Sequence, residues 1–473
     1  MLELDLFSTA RGTVTAPAGC GKTQLIADTL KTYSDRKPVL ILTHTNAGKG
    51  ALEARLARAS VPRAAYRVST IDSWCIRLIS KFPVRSAHPP AIVALESPAT
   101  DYKAVRDAAW RLLCQGDISD ALKASYSRLL VDEYQDCSIA QHNIIGWAAS
   151  VIPTCVLGDP LQAIFGFAEP TVDWTSDVLK LFPTLGELGT PWRWRNVDAE
   201  DLGQWLLNAR APLLAGAPLD LRGAPAEVQW IQLSADASQA QHQRMAAALT
   251  KSDVANGTVL VIGDSKNPRG QREVASHTPG ATTVEAVDLR DLTAFGRSFD
   301  PGRAGALGEL VNFAAEMMNS LGAADLHKRI ETLKRGTARK EATPSETAAL
   351  AFDAAPSLAN ALHTLKAFED APDVRVYRPE VLRVCKNAMH AASTGTCSFY
   401  QAVVQARERN RHLGRPIARR AVGSTLLLKG LEADVAVVLN PAAMDARHLY
   451  VAVTRGARKL VVCSTTPVLS PAK

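Results

Sequence analysis

The chain has 473 residues, which is too long for one ordinary hydrophobic core and predicts two to four domains. Its hydrophobic content of 47% is typical of a globular protein and excludes a disordered chain. No run approaches the roughly 20 apolar residues of a membrane-spanning helix, and residues 1–10 lack the basic and apolar regions of a secretory signal. We therefore expect a cytoplasmic protein without a membrane partner. The net charge of +7 is compatible with a polyanionic partner, but proteins that bind no nucleic acid also reach it.

The N-terminal segment has the pattern of a strand, a glycine-rich turn and a helix. Residues 12–15 are short and β-prone, and residues 16–22 are small and rich in glycine. Residues 23–33 place their apolar side chains on one helical face. Residues 39–42 are a continuous apolar run, which is typical of a buried parallel strand.

Further apolar runs predict strands along the rest of the chain, with helical stretches between them. This alternation predicts α/β layers with parallel sheets. The runs are residues 129–131, 155–157, 259–262, 435–439 and 460–463.

Two segments break the alternation. Residues 83–125 contain one strand candidate, residues 91–95, and become helical toward their end. Residues 300–415 are rich in alanine and mostly helical. We interpret both as insertions within an α/β framework.

Residues 16–23 fit the P-loop pattern Ala/Gly-x-x-x-x-Gly-Lys-Ser/Thr. Its glycines let backbone N–H groups turn toward phosphate oxygens, and the following helix adds the positive end of its dipole. We expect Lys22 to reach the β- and γ-phosphates of ATP, and the Thr23 hydroxyl to bind Mg²⁺. Such an octapeptide also occurs by chance. The predicted nucleotide-binding loop consists of Ala16, Pro17, Ala18, Gly19, Cys20, Gly21, Lys22 and Thr23.

Two acidic residues follow the predicted strand at residues 129–131. Asp132 is therefore expected at the carboxyl edge of the sheet, where ligands collect in folds of this kind. We expect Asp132 to hold Mg²⁺, and Glu133 to orient and deprotonate the attacking water. A solvated acidic turn is the alternative, and the upstream P-loop disfavours it.

The next predicted strand, residues 155–157, leads to Gln162, Phe165 and Phe167. A glutamine beside the phosphates is placed to sense the γ-phosphate. The two rings are candidates for stacking on DNA bases, which is worth about 1–3 kcal/mol per base. A buried aromatic pair is the alternative for Phe165 and Phe167.

In this order, these motifs resemble those of the UvrD/Rep/PcrA family of superfamily-1A DNA helicases. Residues 43–47 resemble the family's motif Ia, and residues 68–75 resemble the segment that follows it. The resemblance implies that these segments contact single-stranded DNA. The predicted DNA-binding residues are Thr43, Thr45, Asn46, Ser69, Thr70, Phe165 and Phe167.

Residues 190–193, 429–432 and 450–458 resemble motifs IV, V and VI of the same family. The resemblance assigns further nucleotide contacts: Trp192 on the adenine, Arg193 on the γ-phosphate, Gly430 and Glu432 at the ribose, and Arg455 as a second arginine finger. The predicted catalytic set is Lys22, Asp132, Glu133, Gln162, Arg193 and Arg455.

The family resemblance implies an α/β fold with two RecA-like P-loop NTPase lobes, each with a parallel sheet and a reduced, mainly helical insertion. ATP would bind with Mg²⁺ between the lobes. The predicted domains are residues 1–82 and 126–195 for lobe 1A, 83–125 for a small 1B-like insertion, 196–299 and 416–473 for lobe 2A, and 300–415 for a helical 2B-like insertion.

The chain departs from the family pattern in four ways. No Gln motif precedes the P-loop, so selectivity for adenine is not assured. Asp72 and Leu426 stand where the family has histidines that help couple DNA contact to ATP turnover. Ala168 follows the motif III aromatic, where the family usually has arginine. Both insertions are short, which favours translocation over processive unwinding.

Two functions remain open. The first is an ATP-dependent DNA translocase or helicase that binds single-stranded or partly duplex DNA across both lobes and moves 3′ to 5′, as the resemblance implies. The second is a DNA- or nucleotide-sensing ATPase subunit that regulates a partner nuclease with little unwinding of its own. Size and pattern also resemble the helicase-like subunit of Gabija-type anti-phage systems, which acts beside an OLD-type nuclease.

Overall fold

The computed structural model describes residues 4–95, 98–166, 169–412 and 418–472. The chain forms two compact units. The first contains Met1–Trp230, Pro441–Leu460 and Thr466–Lys473, and the second contains Ile231–Asn440 and Val461–Thr465. The P-loop and Arg455 therefore belong to the same unit.

The strands account for every run that the sequence predicted between residues 12 and 463, apart from residues 91–95, with bounds that differ by a few residues. The described strands are β1 Arg11–Thr15, β2 Val39–Thr43, β3 Tyr66–Thr70, β4 Arg128–Val131, β5 Thr154–Gly158, β6 Thr184–Glu187, β7 Leu219–Asp220, β8 Val228–Gln232, β9 Val259–Gly263, β10 Ala281–Thr283, β11 Met318–Asn319, β12 Arg375–Val376, β13 Arg420–Ser424, β14 Ala433–Val438, β15 Gly456–Ser464 and β16 Val468–Leu469.

The helices separate most of these strands. Those of the first unit are α1 Lys22–Lys31, α2 Asn46–Arg58, α3 Ile71–Lys81, α4 Pro83–Ser86, α5 Ala91–Ala94, α6 Pro98–Cys114, α7 Ser119–Ser125, α8 Ile139–Ala149, α9 Leu179–Leu181, α10 Trp192–Arg195, α11 Glu200–Asn208 and α12 Arg210–Leu214. Those of the second unit are α13 Ala237–Ala248, α14 Pro268–His277, α15 Arg290–Ser298, α16 Ala306–Ala315, α17 Ala323–Lys334, α18 Pro344–Ala354, α19 Leu358–Glu369, α20 Pro379–Ser393, α21 Phe399–His412 and α22 Thr425–Leu428, and α23 Ala446–Val453 returns to the first unit.

The first sheet has the strand order β3-β2-β4-β5-β1-β6, and its pairs are parallel. Because successive side chains of a strand point to opposite faces, the apolar run of β2 is divided between two cores. Val39 and Ile41 pack with α1 and α2, whereas Leu40 and Leu42 pack with α3, α6 and α8. Helices thus cover both faces, and the polar residues that follow the strands collect at the carboxyl edge of the sheet.

The second sheet has the strand order β10-β13-β9-β14-β15-β8. Its strands β10, β13, β9 and β14 pair in parallel. The two six-stranded sheets with their helices confirm the predicted α/β fold, which is consistent with two RecA-like lobes.

The helical insertion of the second unit has a core of its own. Its buried residues run from Leu289 to Ala406 and include a stacked pair of rings, Phe295 and Phe313, with centroids 4.0 Å apart. Each large apolar side chain buried in such a core contributes about 1.5–3 kcal/mol. A short antiparallel pair, β11 with β12, interrupts the helices.

One predicted strand is wrong. Residues 91–95 were expected to be extended, but Ala91–Ala94 form a single helical turn, α5, which buries Ile92. Pro90 directly precedes this turn, and proline favours the start of a helix because its φ angle is already helical. A short apolar run alone does not distinguish a strand from a buried helical turn.

Among the residues that the structure describes, no helix combines the length and the apolar character needed to cross a bilayer.

Candidate nucleotide-binding site

The P-loop lies between β1 and α1, at the carboxyl edge of the first sheet. Gly19 and Gly21 have φ angles of 72° and 84°, in the left-handed region that glycine adopts without strain. A Cβ atom on Gly21 would lie 2.9 Å from Cδ1 of Trp192, so the position also lacks room for a side chain. Helix α1 begins at Lys22, and the first N–H groups of a helix have no partner within it. The loop therefore has the backbone geometry of an anion site.

The other residues of the loop differ in exposure. Ala16, Pro17, Ala18 and Cys20 are buried, whereas Gly19, Gly21, Lys22 and Thr23 are partly exposed. The loop is anchored to the sheet because the backbone N–H of Ala16 donates to the carbonyl of Gly158 at 2.8 Å.

Lys22 lies against both predicted acidic residues. Its Nζ is 2.9 Å from Oδ1 of Asp132 and also contacts Oε1 of Glu133. Burial alone would lower the pKa of Lys22, but the two carboxylates outweigh this effect and raise the pKa above its usual value. Burial raises the pKa of Asp132, and the ammonium group of Lys22 acts against that rise. One buried cation thus faces two carboxylates, with which the phosphates of a nucleotide would compete.

Glu133 has an unusual backbone conformation. Its φ angle of 57° and ψ angle of 40° lie in the left-handed region, which costs a residue other than glycine about 1–2 kcal/mol. Its backbone N–H donates to Oδ1 of Asp132 at 3.0 Å, and its Oε2 accepts from Nε2 of Gln135 at 2.6 Å. The Glu133 side chain is 31% exposed, so water reaches the carboxylate. The strained turn therefore aims an oriented, hydrated carboxylate at the P-loop side of the sheet.

Gln162 follows β5 at the same edge of the sheet. Asp159 is fully buried and begins the short 3-10 turn Pro160–Gln162, because its Oδ1 accepts from the N–H of Leu161 at 3.1 Å. Oδ2 of Asp159 accepts from Nε2 of Gln162 at 2.9 Å, which fixes the glutamine amide. Arg210 pairs with the same carboxylate: its Nη1 lies 2.9 and 2.8 Å from the two oxygens.

Arg193 and Arg455 meet at one backbone segment. Nη1 of Arg193 donates to the carbonyl of Thr454. Arg455 is 3% exposed, and its Nε donates to the carbonyl of Val451 at 2.8 Å. Its Nη2 lies 3.5 Å from Oε1 of Gln162. The structure therefore brings together Gln162, Arg193 and Arg455, three predicted catalytic residues from distant parts of the sequence.

Trp192, the predicted adenine platform, is 42% exposed. The guanidinium carbon of Arg195 lies 5.3 Å from the centroid of its ring, at cation–π distance. The next aromatic residue, Trp194, is buried and donates from Nε1 to the carbonyl of Gly456 at 2.9 Å. One indole thus anchors the segment, and the other faces solvent.

Two of the three predicted DNA-binding threonines begin helices. Oγ1 of Thr45 accepts from the N–H of Gly48 at 3.0 Å and caps α2, and Oγ1 of Thr70 accepts from the N–H of Ser73 at 3.1 Å and caps α3. Thr43, Ser69 and Thr70 are buried, whereas Thr45 and Asn46 are exposed. The threonine hydroxyls therefore have a structural role, and DNA contact by these residues remains a prediction.

Of the two aromatic residues predicted to stack on DNA bases, the structure describes only one. Phe165 is partly buried, and its ring centroid lies 5.6 Å from that of His44. Phe167 lies outside the described residues. A buried aromatic pair is therefore not tested.

The motif V residues belong to the second unit. Gly430, with a φ angle of 81°, lies in the turn between α22 and β14, and Glu432 is exposed just before β14. Their contact with a ribose stays a prediction.

The segment that contains Asp132 and Glu133 is similar to a known protein family. A model of the UvrD/REP helicase N-terminal domain matches residues 93–183. This match supports a UvrD-like helicase of superfamily 1. The matched segment includes Asp132, Glu133 and Gln162, whereas the P-loop lies outside it. A search of curated proteins found no match.

UvrD-like helicases use ATP and Mg²⁺, and the residues at this edge of the sheet fit both. Mg²⁺ is usually bound by one or two protein oxygens together with substrate phosphates and water. Thr23 lies in the first turn of α1, and the Asp132 carboxylate lies 2.9 Å from Lys22, the residue just before Thr23. In the sequence, a hydroxyl thus follows the lysine that would hold the phosphates, and a carboxylate contacts this lysine.

Asp72 stands where UvrD-like proteins have histidine, and it is held in an ion pair. Nε and Nη2 of Arg106 donate to its two carboxylate oxygens at 2.7 and 2.8 Å, and Nε2 of Gln141 donates to Oδ1 at 3.3 Å. Nη1 of Arg106 also pairs with Glu169 at 2.7 Å. Burial alone would lower the pKa of Arg106, but these carboxylates outweigh it and the pKa is raised. Asp72 thus ties α3 to α6 by an ion pair and to α8 by a hydrogen bond.

The sequence analysis missed four residues of the site: Gln135, Asp159, Arg210 and Tyr450. The hydroxyl of Tyr450 contacts Arg210 and the P-loop. The one available signal was an arginine at position 210 within an otherwise apolar and uncharged segment, residues 205–217.

Proposed function

We propose that the protein is an ATP-dependent DNA translocase or helicase of UvrD type. The observation that carries the proposal is the meeting of Lys22, Asp132 and Glu133 at the carboxyl ends of β1 and β4. ATP hydrolysis requires three groups at this edge of the first sheet: a P-loop lysine, a carboxylate that binds Mg²⁺ and a carboxylate that activates water. Gln162 and Arg455 add donors for the charge that develops on the γ-phosphate.

In this proposal, Lys22 exchanges partners when ATP binds. Its ammonium group moves from Glu133 to the β- and γ-phosphates, which leaves the Glu133 carboxylate free to accept a proton. Glu133 then takes that proton from the attacking water, while the oxygen of the water bonds to the γ-phosphorus and the bond to ADP breaks. Bound Mg²⁺, held by Thr23 and Asp132, would neutralise phosphate charge.

Single-stranded DNA is the proposed track. Thr45 and Asn46 are exposed at the start of α2, and the half-buried ring of Phe165 lies against His44 in the same region. Movement 3′ to 5′ is the direction that the family resemblance implies.

The test is ATP hydrolysis by the purified protein with no nucleic acid, single-stranded DNA, duplex DNA or RNA. We expect stimulation by single-stranded DNA, and a kcat lower by about 10²–10⁴-fold in Glu133→Gln. The matched control is Arg222→Met, which removes an exposed ion pair with Asp220 in the same unit and should hydrolyse ATP normally. A kcat of Glu133→Gln close to that of wild type would contradict the proposal.

A second candidate is a DNA- or nucleotide-sensing ATPase subunit that regulates a partner nuclease. It is favoured by the Asp72–Arg106 ion pair, which occupies the place of a histidine that helps couple DNA contact to turnover in the family. The small size of the first insertion, which holds only helices α4 to α7, supports the same direction because it offers little surface for opening a duplex.

The two candidates differ in a strand-displacement assay. A translocase with helicase activity displaces a labelled strand from a duplex with a 3′ single-stranded tail by itself. A regulatory subunit leaves the duplex intact and changes the cleavage rate of a nuclease that co-purifies with it from its native cells.

A further inference from the structure

Arg210 is a buried cation outside every motif described above. Its side chain is 8% exposed, and that of its partner Asp159 is fully buried. Burial alone would lower the pKa of Arg210, but Asp159 and Tyr450 outweigh this effect and the pKa is raised, so the guanidinium stays charged. A buried ion pair is often no more stabilising than apolar side chains of the same size, so stability alone does not account for its presence.

The same nitrogen of Arg210 reaches a second group. Nη1 donates to the hydroxyl of Tyr450 at 3.0 Å, and that hydroxyl also accepts from the backbone N–H of Ala18 in the P-loop at 3.3 Å. Tyr450 lies in α23, the helix that precedes Arg455. Burial raises the pKa of Tyr450, so its hydroxyl stays a neutral phenol. Through the hydroxyl of Tyr450, Arg210 is thus connected to the P-loop and to motif VI.

The carboxylate of Asp159 connects the pair to the predicted sensor. Its Oδ2, 2.8 Å from Nη1 of Arg210, also accepts from Nε2 of Gln162. With its amide nitrogen held in this way, Gln162 presents Oε1 to Arg455. The backbone N–H of Asp159 donates to Gln135, whose amide in turn holds Glu133. A turn of the Asp159 carboxylate would therefore move Gln162 directly, whereas Glu133 is linked only to the backbone of Asp159.

We infer that Arg210 is a positioning residue for ATP turnover, which acts through Asp159 on the amide of Gln162. This inference rests on the proposed ATPase function. An apolar residue at position 210 would leave the Asp159 carboxylate without its cation, held only by the N–H of Leu161 and by Gln162 itself. Gln162 would then lose a fixed orientation while the P-loop kept its backbone conformation.

Four variants test the inference: Arg210→Met, Arg210→Lys, Gln162→Ala and the double variant Arg210→Met with Gln162→Ala. Their turnover numbers and KM values for ATP are measured with saturating single-stranded DNA. We expect Arg210→Met to lower kcat by about tenfold to a hundredfold, within the range of a lost transition-state donor, with KM changed less than about threefold. Arg210→Lys keeps the charge and should recover part of the rate.

The double variant separates positioning from general destabilisation. If Arg210 acts through Gln162, adding Arg210→Met to Gln162→Ala should lower kcat by less than about twofold further, because residues that act as a unit are not additive. If Arg210→Met costs the same factor in both backgrounds, the inference is overturned. Single-turnover quench flow keeps slow variants measurable.

Nucleotide binding gives a second readout, which needs no turnover. Wild type is expected to bind a non-hydrolysable ATP analogue more tightly than ADP through Gln162. Arg210→Met should lose this preference while its affinity for ADP stays within about twofold, and an unchanged preference would count against the inference. Arg222→Met, an arginine paired with an aspartate on the surface of the same unit, is the matched control.

The outcomes also separate this inference from the proposed function. If wild type shows no turnover that depends on Glu133, the proposed function fails. If wild type turns over ATP but the Arg210 and Gln162 effects are additive, only the positioning role fails. If Arg210→Met does not fold, the same cycle is run with Arg210→Lys, for which we expect a smaller loss of kcat that again disappears in the Gln162→Ala background.

Discussion

Each unit of the protein buries an arginine against a carboxylate, and the two arginines have different neighbours. Arg210 in the first unit holds Asp159, and Asp159 holds the predicted sensor Gln162. Arg378 in the second unit donates from Nε and Nη2 to both oxygens of Glu285 at 2.8 and 2.9 Å.

The contacts that the structure describes around Arg378 join structural elements of the second unit and include no residue of the nucleotide site. Its Nη2 also reaches Asp291 at 2.7 Å, and Glu285 accepts from Oγ1 of Thr283 at the end of β10. The backbone N–H of Arg378 donates to the carbonyl of Met317, so the group joins the helical insertion to an edge strand. A buried charge is therefore not in itself a sign of catalysis. The other contacts of the carboxylate decide the expected effect of removing the arginine. If the carboxylate holds a residue of the nucleotide site, turnover should change; if it holds only other parts of the fold, only stability should change.

The largest expected effect is on the catalytic side of the comparison. Glu133→Gln keeps the shape of the side chain but removes the base, so we expect kcat to fall by about 10²–10⁴-fold. The melting temperature should change little, because a partly exposed carboxylate becomes an amide that still accepts a hydrogen bond from Gln135. Steady-state ATP hydrolysis and thermal unfolding, measured on the same preparation, check both parts.

Arg378→Met should show the opposite pattern. Removing one partner of a buried pair leaves Glu285 without its cation, which costs about 3–5 kcal/mol of unfolding free energy. Turnover per folded molecule should stay the same, because the partners of Arg378 belong to no motif of the nucleotide site. If the kcat of Arg378→Met falls as far as that of Arg210→Met, the proposed difference between the two arginines is wrong. Urea unfolding and ATP hydrolysis at a temperature where the variant is folded distinguish these results.

The same pair predicts a dependence of stability on pH. Burial alone would raise the pKa of Glu285, but the guanidinium of Arg378 outweighs it and holds the pKa below the ordinary 4.5. A lowered carboxyl pKa adds stability above the unfolded value, and that stability is lost as the pH falls through the folded value.

We therefore expect the difference in unfolding free energy between wild type and Arg378→Met to be largest where Glu285 is ionised in both proteins. The difference should shrink as the pH falls, beginning above 4.5, because burial without Arg378 raises the pKa of Glu285 in the variant, and ending below the lowered pKa in wild type. Denaturant titrations at several pH values measure it. If the difference in unfolding free energy grows as the pH falls, a group other than Glu285 determines its pH dependence.

The smallest effect concerns Trp192, at the solvent side of the first unit. Its exposed ring adds little to the core, and stacking on a base is worth about 1–3 kcal/mol. Trp192→Ala should therefore raise KM for ATP by roughly fivefold to a hundredfold with kcat and stability nearly unchanged. Trp192→Phe is the conservative control. An unchanged KM in Trp192→Ala would remove the residue from the adenine site.

Most of the strands that the sequence predicted are continuous apolar runs, which indicate burial on both faces. The missed strands include β3 and β13, where Tyr66–Thr70 and Arg420–Ser424 mix polar and apolar residues and no run is visible. The prediction was wrong at residues 91–95, where burial of one side of a helical turn gives the same short apolar run.

The candidate site shows a similar division. Lys22, Asp132 and Glu133 could be predicted because each lies in a local motif next to a strand. Arg210 could not, because its partners Asp159 and Tyr450 are 51 and 240 residues away and no spacing relates them. The pairing of Lys22 with both acidic residues was also not predicted, because it depends on the order of β1, β5 and β4 in the sheet.

The first unit is assembled from segments on both sides of the second, and this has a consequence for biosynthesis. Ala18 and Arg210 leave the ribosome well before Tyr450, because residues 231–440 are translated between them. At about 5–20 residues per second, that stretch takes roughly 10–40 s. During this interval, the Asp159–Arg210 pair has no phenol to accept its second hydrogen bond, and the P-loop has no contact with α23. The nascent chain therefore acquires its complete P-loop environment only after the second unit has been made.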